Sequence, residues 1–264
     1  LSEQRAKPPI RRVGKLPEKP KGKLPTGDPA MIFQVLTEEQ LSPELAALKP
    51  QYLYVPLTLM TEKLDLLRPF AEQGTIPVAV LPRVIADNEA AAVYDMLSRM
   101  FDQGVNEALV GNLGHAMLAK KAGMKLRGDF GLNTFNSLSM EVIRQAGFIS
   151  ATASFELRLS QIRDMIKPLD TELIIYGRIP LMVSDQCIIR HSAGRCNCQT
   201  PGQMADRMGS VFPVVKEFGC RNVIYNAHKL YLADKAEDVY AAGAWGLRMM
   251  FTTEGMRECV EVAK

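Results

Sequence analysis

The sequence predicts an α/β fold of the (β/α)8 type, a TIM-like barrel with a cysteine-rich insertion and a β-hairpin after its seventh strand. Short apolar runs alternate with amphipathic stretches of helix length about eight times, as this fold requires. A doubly wound open sheet gives a similar alternation. The count of eight, and the absence of a G-x-G-x-x-G turn after the first run, favour the barrel.

Eight apolar runs have the length of buried strands. Four of the amphipathic stretches between them end at a glycine, which is typical of a helix C-terminus. These glycines are Gly74, Gly104, Gly123 and Gly147. The predicted strands are residues 32–36, 52–57, 76–81, 108–110, 125–129, 149–153, 173–176 and 247–251.

After the seventh run the alternation stops for about fifty residues, from 185 to 233. Within this insertion VFPVV (211–215) and NVIYN (222–226) read as two strands joined by KEFGCR (216–221). They predict a hairpin that places Cys220 at or near its turn. A long insertion at the carboxyl end of a barrel strand lies at the rim where active sites form, so we expect it to be functional.

The first thirty residues carry six prolines, and eight Lys or Arg against three Asp or Glu. Residues 1–30 are therefore interpreted as a proline-rich basic interdomain linker ahead of a barrel domain at 31–264. A linker at this place, and a chain that begins with Leu1, lead us to expect a further domain before it. The alternative is a basic arm that contacts RNA or another polyanion.

Composition places the chain among globular proteins, with 47% hydrophobic and 23% charged residues. No apolar stretch approaches the ~20 residues of a membrane span, and no signal peptide opens the chain. Five cysteines, four of them crowded together, do not suit a secreted disulfide scaffold. We therefore expect a cytoplasmic protein without a membrane partner.

Four cysteines fall within 34 residues, with the spacing C-x8-C-x-C-x21-C. Inert buried thiols are one interpretation, but Cys196 and Cys198 lie in a polar stretch where burial is not expected. The others are a structural zinc site and an iron–sulfur cluster, and the spacing alone leaves zinc and iron–sulfur open. Cys259, on the last helical pattern, is expected to pack as an ordinary side chain. The four clustered positions are Cys187, Cys196, Cys198 and Cys220.

Five motifs in this order carry a family resemblance, and they span most of the chain after residue 31. The succession resembles the U32 "peptidase" family, in particular its larger bacterial members with an additional domain. The motifs are GDFGLNTFNS (128–137), SFELRLSQI (154–162), YGRIPLMVSDQC (176–187), DRMGSVFPV (206–214) and NVIYNAHKLYL (222–232).

The resemblance implies oxygen-independent hydroxylation of an RNA base or a small ring substrate, although the family was first described as collagenase-like peptidases. It also implies that Cys187, Cys196, Cys198 and Cys220 hold a [4Fe–4S] cluster. RNA, bound through a neighbouring domain or the basic N-terminal segment, and a small-molecule hydroxyl donor are the implied partners. A metal-dependent peptidase is the alternative, although no catalytic triad and no H-E-x-x-H are found. A non-catalytic RNA- or protein-binding module stapled by zinc is another.

Polar residues just past the predicted strands are the candidates for the remaining chemistry. Arg178 and Arg207 are expected to clamp a carboxylate or phosphate, and Glu156 to transfer protons. An ion pair between Arg178 and Glu156 is the structural alternative. Orienting hydrogen bonds are expected from Asn133, Asn136 and Tyr176.

Overall fold

A computed structural model describes residues 18–23, 25, 27–195 and 201–264, apart from the side chains of residues 192 and 193. Its central feature is a closed barrel of eight parallel strands, which confirms the predicted fold class. Each strand pairs with the next in the order β1-β2-β3-β4-β5-β6-β7-β13, and β13 pairs with β1, so the ring is closed. They are β1 Ala30–Gln34, β2 Tyr52–Pro56, β3 Ile76–Val80, β4 Glu107–Val110, β5 Lys125–Gly128, β6 Phe148–Thr152, β7 Asp170–Gly177 and β13 Gly246–Met250.

Helices cover the outside of this barrel, and most are short. The four glycines predicted to end helices all have positive φ, between 81° and 89°. That conformation suits glycine because it has no Cβ. The α-helices are α1 Pro43–Ala46, α2 Leu57–Glu62, α3 Arg68–Glu72, α4 Ala90–Asp102, α5 Ala116–Lys121, α6 Ser137–Gln145, α7 Leu159–Asp164, α8 Ile188–Ala193, α9 Ala236–Ala241 and α10 Met256–Val262. The 3-10 segments are Glu38–Gln40, Leu64–Leu67, Leu113–His115, Phe130–Leu132, Phe218–Cys220 and Ala233–Lys235.

Alternate residues of the strands face the inside of the barrel, as the two-residue period of a strand requires. On β1 to β4 these interior side chains are largely apolar, and Ile32, Tyr54, Val78 and Leu109 form one buried cluster. On the remaining strands they are polar or charged, and they bond to one another. The polar interior residues are Arg127, Ser150, Thr152, Glu172 and Arg248. The barrel core is thus divided into an apolar half and an ionic half.

The insertion forms a second, antiparallel sheet with the strand order β8-β11-β10-β9. The hairpin predicted between residues 211 and 226 is confirmed as β10 and β11, and Cys220 lies in its turn. The sheet begins earlier than the sequence indicates, because β8 directly follows β7. Its strands are β8 Pro180–Ser184, β9 Gly202–Ala205, β10 Val211–Lys216 and β11 Asn222–Tyr225, while β12 Leu230–Tyr231 returns to β7.

One arginine ties this second sheet to the barrel. The Arg221 Nη1 atom lies 2.9 Å from both carboxylate oxygens of Glu89, just before α4, and its Nε lies 2.9 Å from Asp185. Next to it, the Asn222 side chain accepts from the backbone N–H of Ile188 at 2.7 Å, at the start of α8. These bonds hold the two segments that carry Cys187 and Cys220 against each other and against α4.

The described part of the N-terminal segment lies against the start of β7. The Lys23 ammonium pairs with Asp170 at 2.6 Å, and its backbone N–H donates to the Lys167 carbonyl. In the ranges that the structure describes, no helix combines the length and the apolar character needed to cross a membrane.

Candidate functional site

A cavity of about 590 Å³ lies between the carboxyl ends of the barrel strands and the second sheet. The barrel contributes the ends of β1, β2 and β3 and the residues that follow β4 and β5, while the hairpin of β10 and β11 contributes the facing wall. This volume lies within the range of small-molecule sites. The residues that matter for its chemistry are Gln34, Arg83, Asp129, Phe130, Glu217, Cys220 and Tyr225.

Asp129 is a carboxylate at the inner end of the cavity. It directly follows β5 and is 7% exposed. One of its oxygens accepts from the backbone N–H of Phe130 at 2.9 Å and from Arg248 Nη1 at 2.7 Å. Arg248 itself is fully buried inside the barrel. The carboxylate is therefore held in one orientation by the protein, which is what a residue that exchanges a proton with a bound substrate needs.

The ionic half of the barrel supports Asp129 from below. Arg248 also bonds to Glu172, which accepts from the Tyr54 hydroxyl at 2.7 Å and the Ser150 hydroxyl at 2.8 Å. Burial opposes the ionisation of Glu172, but the guanidinium groups of Arg248 and Arg127 outweigh it and hold the pKa of this carboxyl below its ordinary value. The network therefore stays charged, and it fixes Arg248 beneath the cavity.

Arg83 and Glu217 lie on the wall where the barrel meets the hairpin. The backbone N–H of Arg83 donates to Glu217 Oε1 at 2.9 Å, and the Arg83 guanidinium lies 5.2 Å from the Phe130 ring centroid. In the described part of the chain, four buried side-chain nitrogen or oxygen atoms have no hydrogen-bond partner, and Arg83 Nη1 and Glu217 Oε2 are two of them. Burial raises the pKa of Glu217, against the lowering effect of Arg83. Arg83 and Glu217 thus join the loop after β3 to the turn after β10.

Cys187 and Cys220 lie at the same end of the second sheet. Cys187 follows Ser184, Cys220 precedes Asn222, and Ser184 and Asn222 are register partners on antiparallel strands. Cys220 is exposed, has a φ of 62° and lines the cavity, while Cys187 is partly buried and its sulfur accepts from the backbone N–H of Arg190 at 3.3 Å. Amide donors to sulfur favour the thiolate form of a cysteine, and Cys187 has such a donor in the Arg190 N–H.

Cys196 and Cys198 lie outside the described residues. The described residues resume at Pro201, which lines the same cavity as Cys220. Strand β9 then begins at Gly202, opposite Val214 and so near the cysteine end of the second sheet. Among the described ranges, no three His, Cys, Asp or Glu side chains are grouped as a metal site. The proposed ligand set is therefore described at two of its four positions. Cys259, by contrast, is fully buried on α10, and burial raises its pKa to about 12.

Tyr176 on β7 and Arg178, which follows this strand, are both hydrogen-bonded within the protein. The Tyr176 hydroxyl donates to Glu254 at 3.2 Å, and burial, followed by the charge of Glu254, raises its pKa to about 12. Arg178 bonds to the Thr253 hydroxyl and to the carbonyls of Asn226 and Ala227. Arg178 thus holds the segment after β11, where the chain leaves the second sheet.

The other predicted residues lie apart from this cavity wall. Glu156 is exposed, and its backbone N–H donates to the Ser154 hydroxyl oxygen at 3.3 Å. Asn136 caps α6, accepting from two backbone N–H groups, and Asn133 is an exposed residue with a φ of 52°. Arg207 is exposed in the turn between β9 and β10, at the opposite edge of the second sheet from the strand that follows Arg178. In the described chain these side chains are not hydrogen-bonded to one another.

Sequence reasoning missed the carboxylates of the cavity. The apolar pattern places Asp129 in the fifth predicted strand (125–129) and not in the site, although Asp129 ends that run. Glu217 lies in the hairpin turn, three residues before Cys220, and that proximity was the available signal. The sequence signal for the ionic network is a single charge inside or directly beside an apolar run, as at Arg248 and Glu172. Only the closed barrel brings them together.

Comparisons with known proteins agree with this architecture. The sequence model of peptidase family U32 matches residues 71–243, which is more than half of the chain. No curated protein sequence matches significantly. The native KDPGal structure superposes with a TM-score of 0.51 at 9% identity, covering 91% of this chain and 94% of its own. The spore cortex-lytic enzyme SleL of Bacillus cereus gives a TM-score of 0.45 at 9% identity, covering 92% and 75%. At this identity, the KDPGal likeness concerns the barrel fold alone.

Proposed function

Because the chain belongs to peptidase family U32, we propose that it is an iron–sulfur-dependent barrel that acts in the oxygen-independent hydroxylation of an RNA base or another small ring substrate. The observation that carries the proposal is the position of Cys220. Its thiol lines the cavity at the barrel mouth, and Cys187 approaches the same end of the second sheet. A thiolate-bound group held there would lie beside a bound substrate.

Under this proposal, Cys187, Cys196, Cys198 and Cys220 hold a [4Fe–4S] cluster. When bound, such a cluster supplies redox chemistry or polarises a substrate. The protein supplies the rest. The second sheet covers the cavity and limits access of water, while Arg248 orients the Asp129 carboxylate for proton transfer.

RNA and a small-molecule hydroxyl donor are the proposed partners. A neighbouring domain or the basic segment at residues 1–30 would hold the RNA, since Lys and Arg side chains bind the phosphate backbone. The cytoplasm is the proposed compartment, because reducing conditions there keep thiols free to bind metal.

The decisive experiment is metal analysis of protein purified without oxygen. We expect about four irons and four sulfides per chain, together with the broad absorption at about 400 nm that is typical of a [4Fe–4S] cluster. The C220A variant should lose most of the iron while it stays folded, because Cys220 is exposed in a turn. The C259A variant is the matched control, because Cys259 is buried on α10 away from the cavity, and it should keep the iron.

Other results would overturn the proposal. One zinc per chain in colourless protein, lost equally in C220A, would favour the zinc-stapled binding module. Iron content unaffected by C220A would exclude this ligand set. Cleavage of gelatin by metal-replete protein, abolished by C220A, would favour the peptidase alternative. For the reaction itself, nucleoside mass spectrometry of RNA from anaerobically grown cells should reveal a base that gains one oxygen atom only when the active protein is present.

A further inference from the structure

We propose that the centre of the barrel-mouth cavity binds one uncharged hydroxyl group of a ligand, with Asp129 as the acceptor and with Gln34 and Tyr225 as the donors. The three side chains come from β1, from the residue after β5 and from β11 of the second sheet. This site shares its cavity with the proposed function, but it depends on neither the metal nor the reaction. It adds a class of ligand, a neutral alcohol.

One nitrogen of Arg248 fixes the two side chains on the floor of the cavity. Arg248 Nη1 donates to Asp129 Oδ1 at 2.7 Å and to the side-chain oxygen of Gln34 at 3.2 Å. Because a guanidinium only donates, the amide oxygen of Gln34 must face it, and the amide NH2 must point away. Asp129 Oδ1 also accepts from the Phe130 N–H, so Oδ2 is the oxygen left for a ligand. A donor and an acceptor thus flank one buried nitrogen atom.

Tyr225 faces this floor from the second sheet. Ile224, the residue before it, packs on Ile189 at the other face of the sheet, whereas Tyr225 lines the cavity. The two-residue period of a strand therefore directs the Tyr225 side chain towards the barrel. Tyr225 is 8% exposed, and a buried phenol normally has a hydrogen-bond partner.

The three polar atoms are available to a ligand. Within the residues that the structure describes, Asp129 Oδ2, the Gln34 NH2 group and the Tyr225 hydroxyl have no hydrogen-bond partner. None of them is among the fully enclosed atoms that lack a partner, so each keeps contact with the cavity that its residue lines. Burial raises the pKa of Tyr225, and the charges of Glu217 and Asp129 raise it further against the effect of Arg83. The Tyr225 hydroxyl therefore keeps its proton and serves as a donor.

A hydroxyl group matches this set of atoms. It has one hydrogen to donate and two lone pairs that accept. It can therefore donate to Asp129 and accept from Gln34 and Tyr225 at the same time. A carboxylate has no hydrogen for Asp129, and an ammonium group has no lone pair for the NH2 of Gln34.

The charge beneath the site also opposes an anion. The buried network that holds Asp129 contains two guanidinium groups and three carboxylates, so its net charge is negative. An anionic group on the floor of the cavity would be repelled, whereas a neutral hydroxyl is not. The members of this network are Arg127, Arg248, Glu107, Asp129 and Glu172.

The test compares cyclohexanol with methoxycyclohexane, which share the ring and the oxygen and differ in the O–H hydrogen. Titration of the full chain by ligand-observed NMR should show about tenfold tighter binding of cyclohexanol, because the ether leaves Asp129 Oδ2 without a donor. In D129N the amide oxygen must keep the bonds from Arg248 and Phe130, so its NH2 faces the ligand and the preference should disappear. In Y225F both probes lose one donor, so both should bind several-fold more weakly while their ratio is kept.

The D95N and Y231F variants make the same chemical changes on exposed side chains of α4 and β12 and should behave as the wild type. A ratio near one in the wild type, a ratio that D129N leaves unchanged, unaltered binding in Y225F, or no binding of either probe would each overturn the proposal. The ratio is measured on folded protein whatever its metal content. A zinc-only protein that keeps the ratio would overturn the cluster and leave this site standing, whereas a cluster-bearing protein without the ratio would do the opposite.

Discussion

At the scale of single residues, the barrel interior shows how buried charge is made tolerable. Arg248 is fully buried, yet it has a carboxylate on each side, from Asp129 above and Glu172 below. Glu172 also accepts two hydroxyl bonds, so its lone pairs are used. A buried ion that lacks such partners would cost several kcal/mol in desolvation. The network therefore orients Asp129 without leaving Glu172 unpaired.

The first residue-scale prediction concerns Glu172. The E172Q variant removes the charge that Arg248 and Arg127 share, so both guanidinium groups lose a buried counterion. We expect the free energy of unfolding to fall by about 3–5 kcal/mol, the usual cost of breaking a buried pair. Urea denaturation followed by circular dichroism measures it. The R144M variant, which breaks the exposed pair with Glu141 on α6, should leave the midpoint unchanged. An equal loss of stability in E172Q and R144M would contradict this role of the buried Glu172 carboxylate.

At the scale of elements, the insertion is a sheet that is held to the barrel by few side chains. Arg221 bridges Glu89 and Asp185, and Asn222 caps α8, so the segments that carry Cys187 and Cys220 depend on two neighbouring residues of β11 and its turn. At the same end, Ile189 of α8 packs on Val214 and Ile224 of the sheet. This attachment therefore helps to position the two cysteines beside the cavity, together with the bond from the Arg83 N–H to Glu217 in the hairpin turn.

The element-scale prediction follows from that attachment. The R221M variant should loosen the cysteine end of the second sheet and leave the barrel intact, because local opening needs only the loss of local contacts. Hydrogen exchange should speed up several-fold for the amides of α8 and of the turn at Phe218–Cys220, and stay unchanged in β1 to β6. The R163M variant, which removes an exposed ion pair on α7, serves as the control. Uniform loss of protection over the whole chain would show instead that Arg221 supports global stability.

At the scale of the whole molecule, pH links the ionic interior to folding. The folded chain lowers the pKa of Glu172, and it lowers that of Glu254, where burial is outweighed by backbone N–H groups and Lys229. A carboxyl with a lowered pKa stabilises the fold above its unfolded value of 4.5, and this contribution is lost as the pH falls below it. The contribution of Glu217 to stability changes with pH in the opposite direction, because burial raises the pKa of this carboxyl group.

We therefore expect the urea midpoint to drop between a pH of about 6 and a pH of about 4, because the unfolded chain begins to take up protons at these two carboxyl groups while the folded chain does not. The drop should be smaller in E172Q, since a glutamine cannot titrate. A series of denaturation curves at fixed ionic strength measures both. A midpoint that rises toward acid pH in the wild type would contradict the sign, and an identical drop in E172Q would remove Glu172 as a cause.

The candidate site was predicted only in part. The four clustered cysteines and the hairpin turn at Cys220 can be recognised in the sequence, because residue spacing and turn residues are local signals. The partners of Arg178, Asn136 and Tyr176 were not, since polar residues at strand ends can as well cap helices or fasten loops, and sequence position does not tell these roles apart. Asp129 and Glu217 lie 88 residues apart in sequence and become neighbours of one cavity only through the fold.

Local patterns in the amino-acid sequence predict the eight strands, the glycines that end the helices and the hairpin of the insertion. Each of these depends on the period of apolar residues or on the conformational freedom of a few backbone positions, and both are properties of short segments. The bonds of Arg248 to Asp129 and Glu172, and that of the Arg83 N–H to Glu217, depend instead on the folded arrangement of the whole chain. Barrel closure and the folding back of β10 and β11 bring these side chains together from distant parts of the chain. Their chemistry arises from distances and burial that no local pattern encodes.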